Sequence, residues 1–169
     1  VWREALLPIA ESYLTRALSQ AAADRAPVVL LELDTPGGLV STVRRMVSAL
    51  LESPVPVVVY VTPSGASAAS GGAFLLLAAD VAAMAPVSDV GAAHPVPAIG
   101  KAAEEDPALD KAAHELAALA RSLAGRHGRP EASAAALVLE SASHSAEEAL
   151  SLGLIDRIAA DREELLAWL

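Results

Sequence analysis

Two glycine-rich turns contain the residues best suited to do chemistry. The first, residues 34–38 (DTPGG), follows a β-rich run, and the second, residues 63–72, ends in Ser70, Gly71 and Gly72. A serine hydroxyl becomes a nucleophile when a base takes its proton and N–H donors hold the oxyanion. A helix that begins at Ser70 would present free amide N–H groups, and the first turn can add another. We therefore expect an acyl-transfer site between the two turns.

The general base for such a site is most readily supplied by a lysine. Only Lys101 and Lys111 among the 12 Lys and Arg residues are lysines. Arginine stays protonated at any ordinary pH, whereas burial can make a lysine neutral. Lys111 lies early in a predicted helix, while Lys101 falls in a segment rich in Pro and Gly. The sequence thus favours a dyad of Ser70 and Lys111.

Simpler interpretations of both candidates remain open. Ser64, Ser67 and Ser70 are also typical turn and cap residues, and the Gly-x-Ser-x-Gly nucleophile elbow is absent. On a helical wheel Lys111 lies opposite the leucine stripe of its helix, beside His114, on a face that water normally covers. A cleft or a subunit contact would be needed to bury its amine.

The histidines offer a Ser-His alternative, and each of them is also compatible with a structural or solvated role. They are His94, His114, His127 and His144, of which His94 follows the core strands most closely. His114 lacks a second histidine at metalloprotease spacing, and the acidic pairs form no recognisable metal pattern. We expect neither a metal nor a cofactor.

Composition favours one α/β domain over residues 1–169, because 54% of the residues are apolar and only 3% are aromatic. The net charge of −9 argues against nucleic acid and anionic lipid as partners. The absence of cysteine excludes disulfides and a thiol nucleophile. No apolar run approaches the ~20 residues that span a bilayer, so we expect a soluble chain. Because it begins at Val1 rather than Met, we expect a piece of a longer protein.

Hydrophobic periodicity predicts alternating helices and strands that bring both turns to one edge of a sheet. Helices are predicted over 8–23, 39–52, 73–79, 109–124, 130–140 and 145–153 and at the C-terminus, and strands over 28–33, 57–61, 81–84 and 154–158. This order predicts a parallel sheet, whose carboxyl ends usually carry the chemistry. Residues 86–107 lack periodicity and are predicted to form a loop that flanks the cleft and orders when substrate binds.

Several motifs together closely resemble the N-terminal protease domain of NfeD proteins, the stomatin-operon partner peptidases. They are LDTPGGL at 33–39, AASGG at 68–72, MAP at 84–86, GAAHP at 91–95, Lys111, and the run 122–156. The family is similar to signal peptide peptidase A and, more distantly, to the Clp protease subunit. The resemblance implies a crotonase-like spiral of ββα units with a mainly parallel sheet flanked by helices.

Three positions depart from the family pattern. The segment 1–7 is short and strand-poor, so we expect a trimmed sheet. His114 stands where the family commonly has Asn, and Gly71 follows the serine where Ala is more usual. None of these changes removes a catalytic group.

The resemblance also implies roles for individual residues and for the parent protein. Ser70 would be the nucleophile, Lys111 the base, and the amides of Gly38 and Gly71 the oxyanion hole. The residues that would bind substrate are Gly37, Leu39 and His94. Apolar peptides are the implied substrates, such as the C-terminal region of a stomatin-like membrane protein. The implied oligomeric state is a homo-oligomer of two or more copies. The implied location is the extracytoplasmic part of a membrane-anchored protein.

A different class of function uses the same two turns. A crotonase-type fold could bind an acyl-CoA, or it could act as an oligomeric scaffold without peptidase activity. Lys111 would be dispensable for thioester binding, and the acidic charge suits a phosphate-bearing coenzyme poorly. Both features favour the peptidase hypothesis.

Overall fold

The computed structural model describes residues 1–96 and 107–169, and its strands form two small sheets. Numbered in chain order, the strands are β1 (Val29–Leu33), β2 (Val57–Val61), β3 (Ser67–Ala69), β4 (Val81–Met84), β5 (Asp89–Gly91), β6 (Ser143–Ser145) and β7 (Arg157–Ile158). The larger sheet has the order β1-β2-β4-β7 and is parallel throughout. In the smaller sheet, β5 pairs parallel with β3 and antiparallel with β6.

Helices flank the sheets, which confirms the predicted α/β class. They are α1 (Pro8–Ala23), α2 (Val40–Leu51), α3 (Gly71–Leu77), α4 (Pro107–Arg126), α5 (Glu131–Leu139), α6 (Ala146–Leu152) and α7 (Arg162–Trp168). Each lies close to the bounds expected from periodicity. A capping box between Ser145 and Glu148 begins α6, and Gly153 in the left-handed conformation ends it.

Two expectations about strands and loops are wrong in part. Residues 86–107 were expected to form a loop, yet β5 lies inside this segment, while residues 97–106 lie outside the described part of the chain. The segment 1–7 does not leave the sheet trimmed. Instead, Trp2 and Leu6 form parallel bridges with Leu33 and Gly38, so this segment continues the sheet beside β1.

The large sheet is buried on both faces. All five residues of β2 are buried, as expected for a central parallel strand. One face packs against the main core, to which α2 contributes Met46, Val47 and Leu50. The other face carries a small cluster around Tyr60 and Leu165, to which the C-terminal helix α7 contributes Leu165. The Tyr60 hydroxyl donates a hydrogen bond to the Ala159 carbonyl at 2.8 Å.

The helix α3 connects this core to the second glycine turn. All seven of its residues are buried, including Phe74. Each fully buried large apolar side chain contributes about 2 kcal/mol to stability, so the helix is firmly anchored. The residue at its N-terminus, Ser70, is therefore held by the core of the protein.

Candidate active site

Ser70 occupies the N-cap of α3 in an unusual backbone conformation. Its φ is 51° and its ψ is −113°, in a region that residues with a Cβ rarely adopt. The Ser70 N–H donates to the Gly91 carbonyl at 2.8 Å, and its own carbonyl accepts from the Ala73 N–H at 3.1 Å. Such a conformation costs about 1–3 kcal/mol and persists only where the surroundings enforce it. The expected helix start at Ser70 is confirmed, and this backbone strain is typical of functional positions.

The first glycine turn packs directly against Ser70. Gly37 has a φ of +107°, and a Cβ placed on it would lie 2.6 Å from the Ser70 Cβ and 3.0 Å from its Oγ. Only glycine allows this approach. Thr35 fixes the turn, because its Oγ1 accepts from the Gly37 N–H at 3.1 Å and donates to the Glu4 carbonyl at 2.8 Å.

The amides of Gly38 and Gly71 lie next to one another beside the serine. A Cβ placed on Gly71 would be 3.5 Å from the Gly38 nitrogen. Neither N–H donates a hydrogen bond to any residue within 1–96 or 107–169. Gly71 is the first residue of α3, where N–H groups lack partners within the helix. Two unpaired donors close to a serine are what an oxyanion hole requires.

Ser70 opens into a small cleft between α2, α3 and α4, with a volume of ≈ 70 Å³. Its lining is mostly apolar: Val40, Val43, Phe74, Ala93, Pro95, Val96, Leu116 and Leu119. Arg44 is the one charged residue among the described lining residues. Residues 93–96, which belong to the predicted loop 86–107, thus flank the cleft as predicted. The cleft has the size and chemistry to hold an apolar side chain.

Lys111 is exposed on α4. Its amine makes no hydrogen bond or ion pair with a residue of the described ranges, and Lys111 is absent from the described lining of the cleft. Helix α4 contributes Leu116 and Leu119 to the cleft, and Lys111 lies about 80° around the helix axis from Leu119. Among the described residues, the structure thus brings Ser70 together with Gly37, Gly38 and Gly71, and it does not bring the Lys111 side chain into the described lining of this cleft.

The other two predicted substrate-binding residues lie at the edges of the cleft. Leu39 is exposed at the N-cap of α2, between two residues of the lining. The His94 ring is half-buried, and its Nδ1 lies 3.0 Å from the Val138 carbonyl on α5. Both binding roles remain predictions.

The remaining serines and histidines have other surroundings. Ser67 donates to Asp89 at 2.8 Å, so it joins β3 to β5, and Ser64 is exposed in its turn. His114 is exposed on α4, and the His144 Nδ1 lies 4.0 Å from Glu148. None of these residues is among the described lining of the cleft.

Two groups with shifted pKa values, the buried Tyr60 and the half-buried His127, lie away from the described lining of the cleft. Burial raises the pKa of Tyr60, whose hydroxyl is bound to a carbonyl. Burial, followed by the charge of Arg129, lowers the pKa of His127. Neither group is among the described residues that line the cleft containing Ser70. Within the described ranges, no three His, Asp or Glu side chains cluster closely enough to hold a metal ion.

Two residues of the site were missed by the sequence reasoning. Thr35 is buried and holds the first turn. Its position two residues before Gly37 is a detectable signal, because threonine hydroxyls commonly bind the backbone two residues on. Arg44 lines the cleft one helical turn after Val40. That i, i+4 spacing from a residue near the glycine turn would have identified it.

The profile of the NfeD1b N-terminal domain family matches residues 8–169. The chain belongs to this family. It is 36% identical over 151 residues to membrane-bound protease PH1510 of Pyrococcus horikoshii, which covers 89% of this chain and 34% of that protein. It is 39% identical over 94 residues to membrane protein NfeD1b of Bacillus subtilis, covering 56% of this chain and 21% of that protein. The chain therefore spans about a third or less of these curated relatives.

Solved structures agree with the family. One is a membrane-bound stomatin-specific protease with a serine replaced by alanine, at a TM-score of 0.92 and 32% identity, covering 98% of this chain and 80% of that one. A second is the same kind of protease with a lysine replaced by alanine, in complex with a substrate peptide. It matches at a TM-score of 0.91 and 33% identity, and the match covers 98% of this chain and 76% of that chain. The predicted family and Clp-like α/β fold are confirmed. Both curated relatives are named as membrane proteins, while within the described ranges no helix has the length and apolar character to cross a bilayer.

Proposed function

We propose that residues 1–169 form the serine endopeptidase domain of a membrane-anchored protein, with Ser70 as the nucleophile. The observation that carries this proposal is the strained Ser70 at the N-cap of α3, which lies beside the unpaired amides of Gly38 and Gly71. The solved relatives support it, because they are a protease whose serine and lysine were each replaced. Those two positions are separated by the same number of residues as Ser70 and Lys111.

In the proposed mechanism, Lys111 acts as the base. Its neutral amine takes the Ser70 proton as Oγ attacks the peptide carbonyl, and the amides of Gly38 and Gly71 bind the developing oxyanion. Lys111 then gives the proton to the leaving amine. A water molecule, deprotonated by the same lysine, releases the acyl group.

This mechanism requires that Lys111 be covered during catalysis. A base must give up its proton before it can act, burial favours the neutral form of an amine, and the Lys111 side chain is exposed in the single chain. No residue of 1–96 or 107–169 pairs with the Lys111 amine, and the proposed cover is the bound peptide together with a second copy of the chain. We propose on this ground that the working form is a homo-oligomer.

The apolar cleft supports apolar peptides as substrates. One solved relative is named as specific for a stomatin homolog, so the C-terminal region of a stomatin-like membrane protein is the proposed substrate. We place the domain on the extracytoplasmic side of the membrane. Leu39 and His94, at the two edges of the cleft, are proposed to contact the peptide beside Gly37.

Cleavage of apolar peptides by single-residue variants tests this proposal. Ser70→Ala and Lys111→Met should each lower kcat by about a thousandfold or more, because the members of such a dyad act as one unit. Ser64→Ala and Lys101→Met are the matched controls, one replacing another serine of the same turn and the other replacing the second lysine. Both controls should cleave at the rate of the parent.

Reaction with a serine-directed phosphonate separates the proposal from the alternatives. The parent should be labelled at Ser70, and Lys111→Met should react far more slowly. A domain that binds acyl-CoA, or a scaffold without catalysis, would give no adduct at Ser70. Near-parental cleavage by either dyad variant would also reject the mechanism.

A further inference from the structure

We infer that Arg44 determines substrate specificity, by selecting peptides that carry an acidic side chain close to the apolar residue held in the cleft. This inference rests on the proposed function and names a substrate class for the same site. Arg44 lies on α2 and contributes to the lining of the cleft that contains Ser70. It is the one charged residue in the described lining, among eight apolar side chains.

The positive charge of Arg44 has no paired acidic group within the described ranges. Its guanidinium makes no hydrogen bond or ion pair with any residue of 1–96 or 107–169. Its neighbour Arg45 differs, because the Arg45 Nε is paired with Glu11 at 2.6 Å and Arg45 is absent from the described lining. Arg45 therefore joins α2 to α1, whereas Arg44 belongs to the lining of the cleft and has no such partner in the described ranges.

Electrostatics gives the sign of the preference. A guanidinium beside an apolar cleft attracts a carboxylate, forms a forked pair with it, and repels a lysine. The protein as a whole is acidic, with a net charge of −9, so an acidic peptide is repelled elsewhere on its surface. Arg44 supplies a local attraction at the site of cleavage.

Binding and cleavage of one peptide series test the inference. Each peptide is apolar and carries a single Glu, Gln or Lys at one position near the scissile bond, and the position is varied. Binding is measured by fluorescence anisotropy on the Ser70→Ala protein, and kcat/KM is measured on the parent. At one position we expect the Glu peptide to bind about fivefold more tightly than the Gln peptide and to have a kcat/KM about fivefold higher. Both ratios should fall as the salt concentration is raised.

Three substitutions assign the preference to Arg44. Arg44→Met should abolish it, Arg45→Met should retain it, and Arg44→Glu should shift the preference to Lys. Because Arg44 is exposed, these variants should fold, which circular dichroism checks. Equal binding and cleavage of Glu and Gln peptides at every position, or a preference that survives Arg44→Met, would overturn the inference.

The outcomes also separate this inference from the proposed function. If no peptide is cleaved but Ser70→Ala protein still binds Glu peptides more tightly, the peptidase proposal fails and the Arg44 inference stands. If peptides are cleaved without regard to charge, the inference fails and the peptidase proposal stands. If no peptide is bound or cleaved, both fail.

Discussion

At the scale of single residues, the site depends on two backbone conformations that fit each other. Ser70 has a positive φ, and Gly37, also at a positive φ, lies against its side chain. The Gly71 nitrogen lies close to the first turn, 3.2 Å from a Cβ placed on Gly37, and the missing Cβ at Gly37 leaves space for Oγ. A side chain at position 37 would therefore clash with the side chain of Ser70, the proposed nucleophile.

Gly37→Ala should impair the chemistry as well as the fold. The new methyl group would lie 3.0 Å from the Ser70 Oγ at a backbone φ of +107°. We expect the rate of phosphonate labelling at Ser70 to fall about a hundredfold, since the displaced serine loses its oxyanion donors. The free energy of unfolding should also fall by about 1–3 kcal/mol.

The matched control is Gly128→Ala. Gly128 has a φ of +70°, and a Cβ there would have no neighbour within 4 Å. This change should cost about 1 kcal/mol of stability through the backbone alone and leave labelling unchanged. Parental labelling by Gly37→Ala would show that the first turn does not position the nucleophile.

Much of the residue-level site could be predicted from the sequence. The chemistry of glycine turns at a helix start indicates Ser70, the family resemblance implies the amides of Gly38 and Gly71, and the structure places the three together. The surroundings of Lys111 could not be predicted, because a long side chain on a polar helix face is buried only by groups outside its own helix. Arg44 was missed because a surface arginine on an amphipathic helix usually faces only water.

At the scale of elements, one buried arginine supports the helix that carries Ser70. Arg129 donates to the carbonyls of Leu77 at 3.2 Å and Ala79 at 2.9 Å, at and just beyond the C-terminus of α3. It also pairs with Asp156 at 2.8 Å, and Asp156 accepts from the Ala82 N–H at the start of β4. A single guanidinium thus satisfies carbonyls at the end of α3 and ties them to the large sheet.

Arg129→Met should lower the free energy of unfolding by about 3 kcal/mol. The side chain of Arg129 is 2% exposed, so its loss leaves buried carbonyls unpaired, while the Asp156 carboxylate retains some water. Arg45→Met, which breaks the exposed pair with Glu11, should cost less than about 1 kcal/mol. Urea unfolding of both variants measures the difference. Equal losses of unfolding free energy in the two variants would mean that Arg129 does not stabilise the C-terminal end of α3.

The longer elements were predictable and the shortest ones were not. Helices such as α2 have a clear apolar face, and β2 is a continuous apolar run. By contrast, β3, β5 and β6 have three residues each. Three residues carry no measurable period. Strand β5 is the central strand of its sheet, and one of its two partners, β6, lies far along the chain. Local sequence cannot contain that information.

At the scale of the whole molecule, the proposed catalytic pair joins distant parts of the fold. Ser70 is fixed by the buried α3, and Lys111 lies on α4, which shares the cleft through Leu116 and Leu119. The described residues of the single chain supply Ser70, the two unpaired amides and the apolar cleft. In the proposed mechanism, the bound substrate together with a second copy of the chain covers the Lys111 amine. The account therefore predicts a dyad that is complete only in the occupied, assembled protein.

A crystal structure of the phosphonate adduct tests this claim most directly. The account predicts a phosphorus–Oγ bond at Ser70, a phosphoryl oxygen within hydrogen-bond distance of the Gly38 and Gly71 amides, and the Lys111 Nζ within about 3 Å of the Ser70 Oγ, shielded from water. An adduct at another residue, or a Lys111 amine that remains hydrated and distant from Ser70, would contradict it.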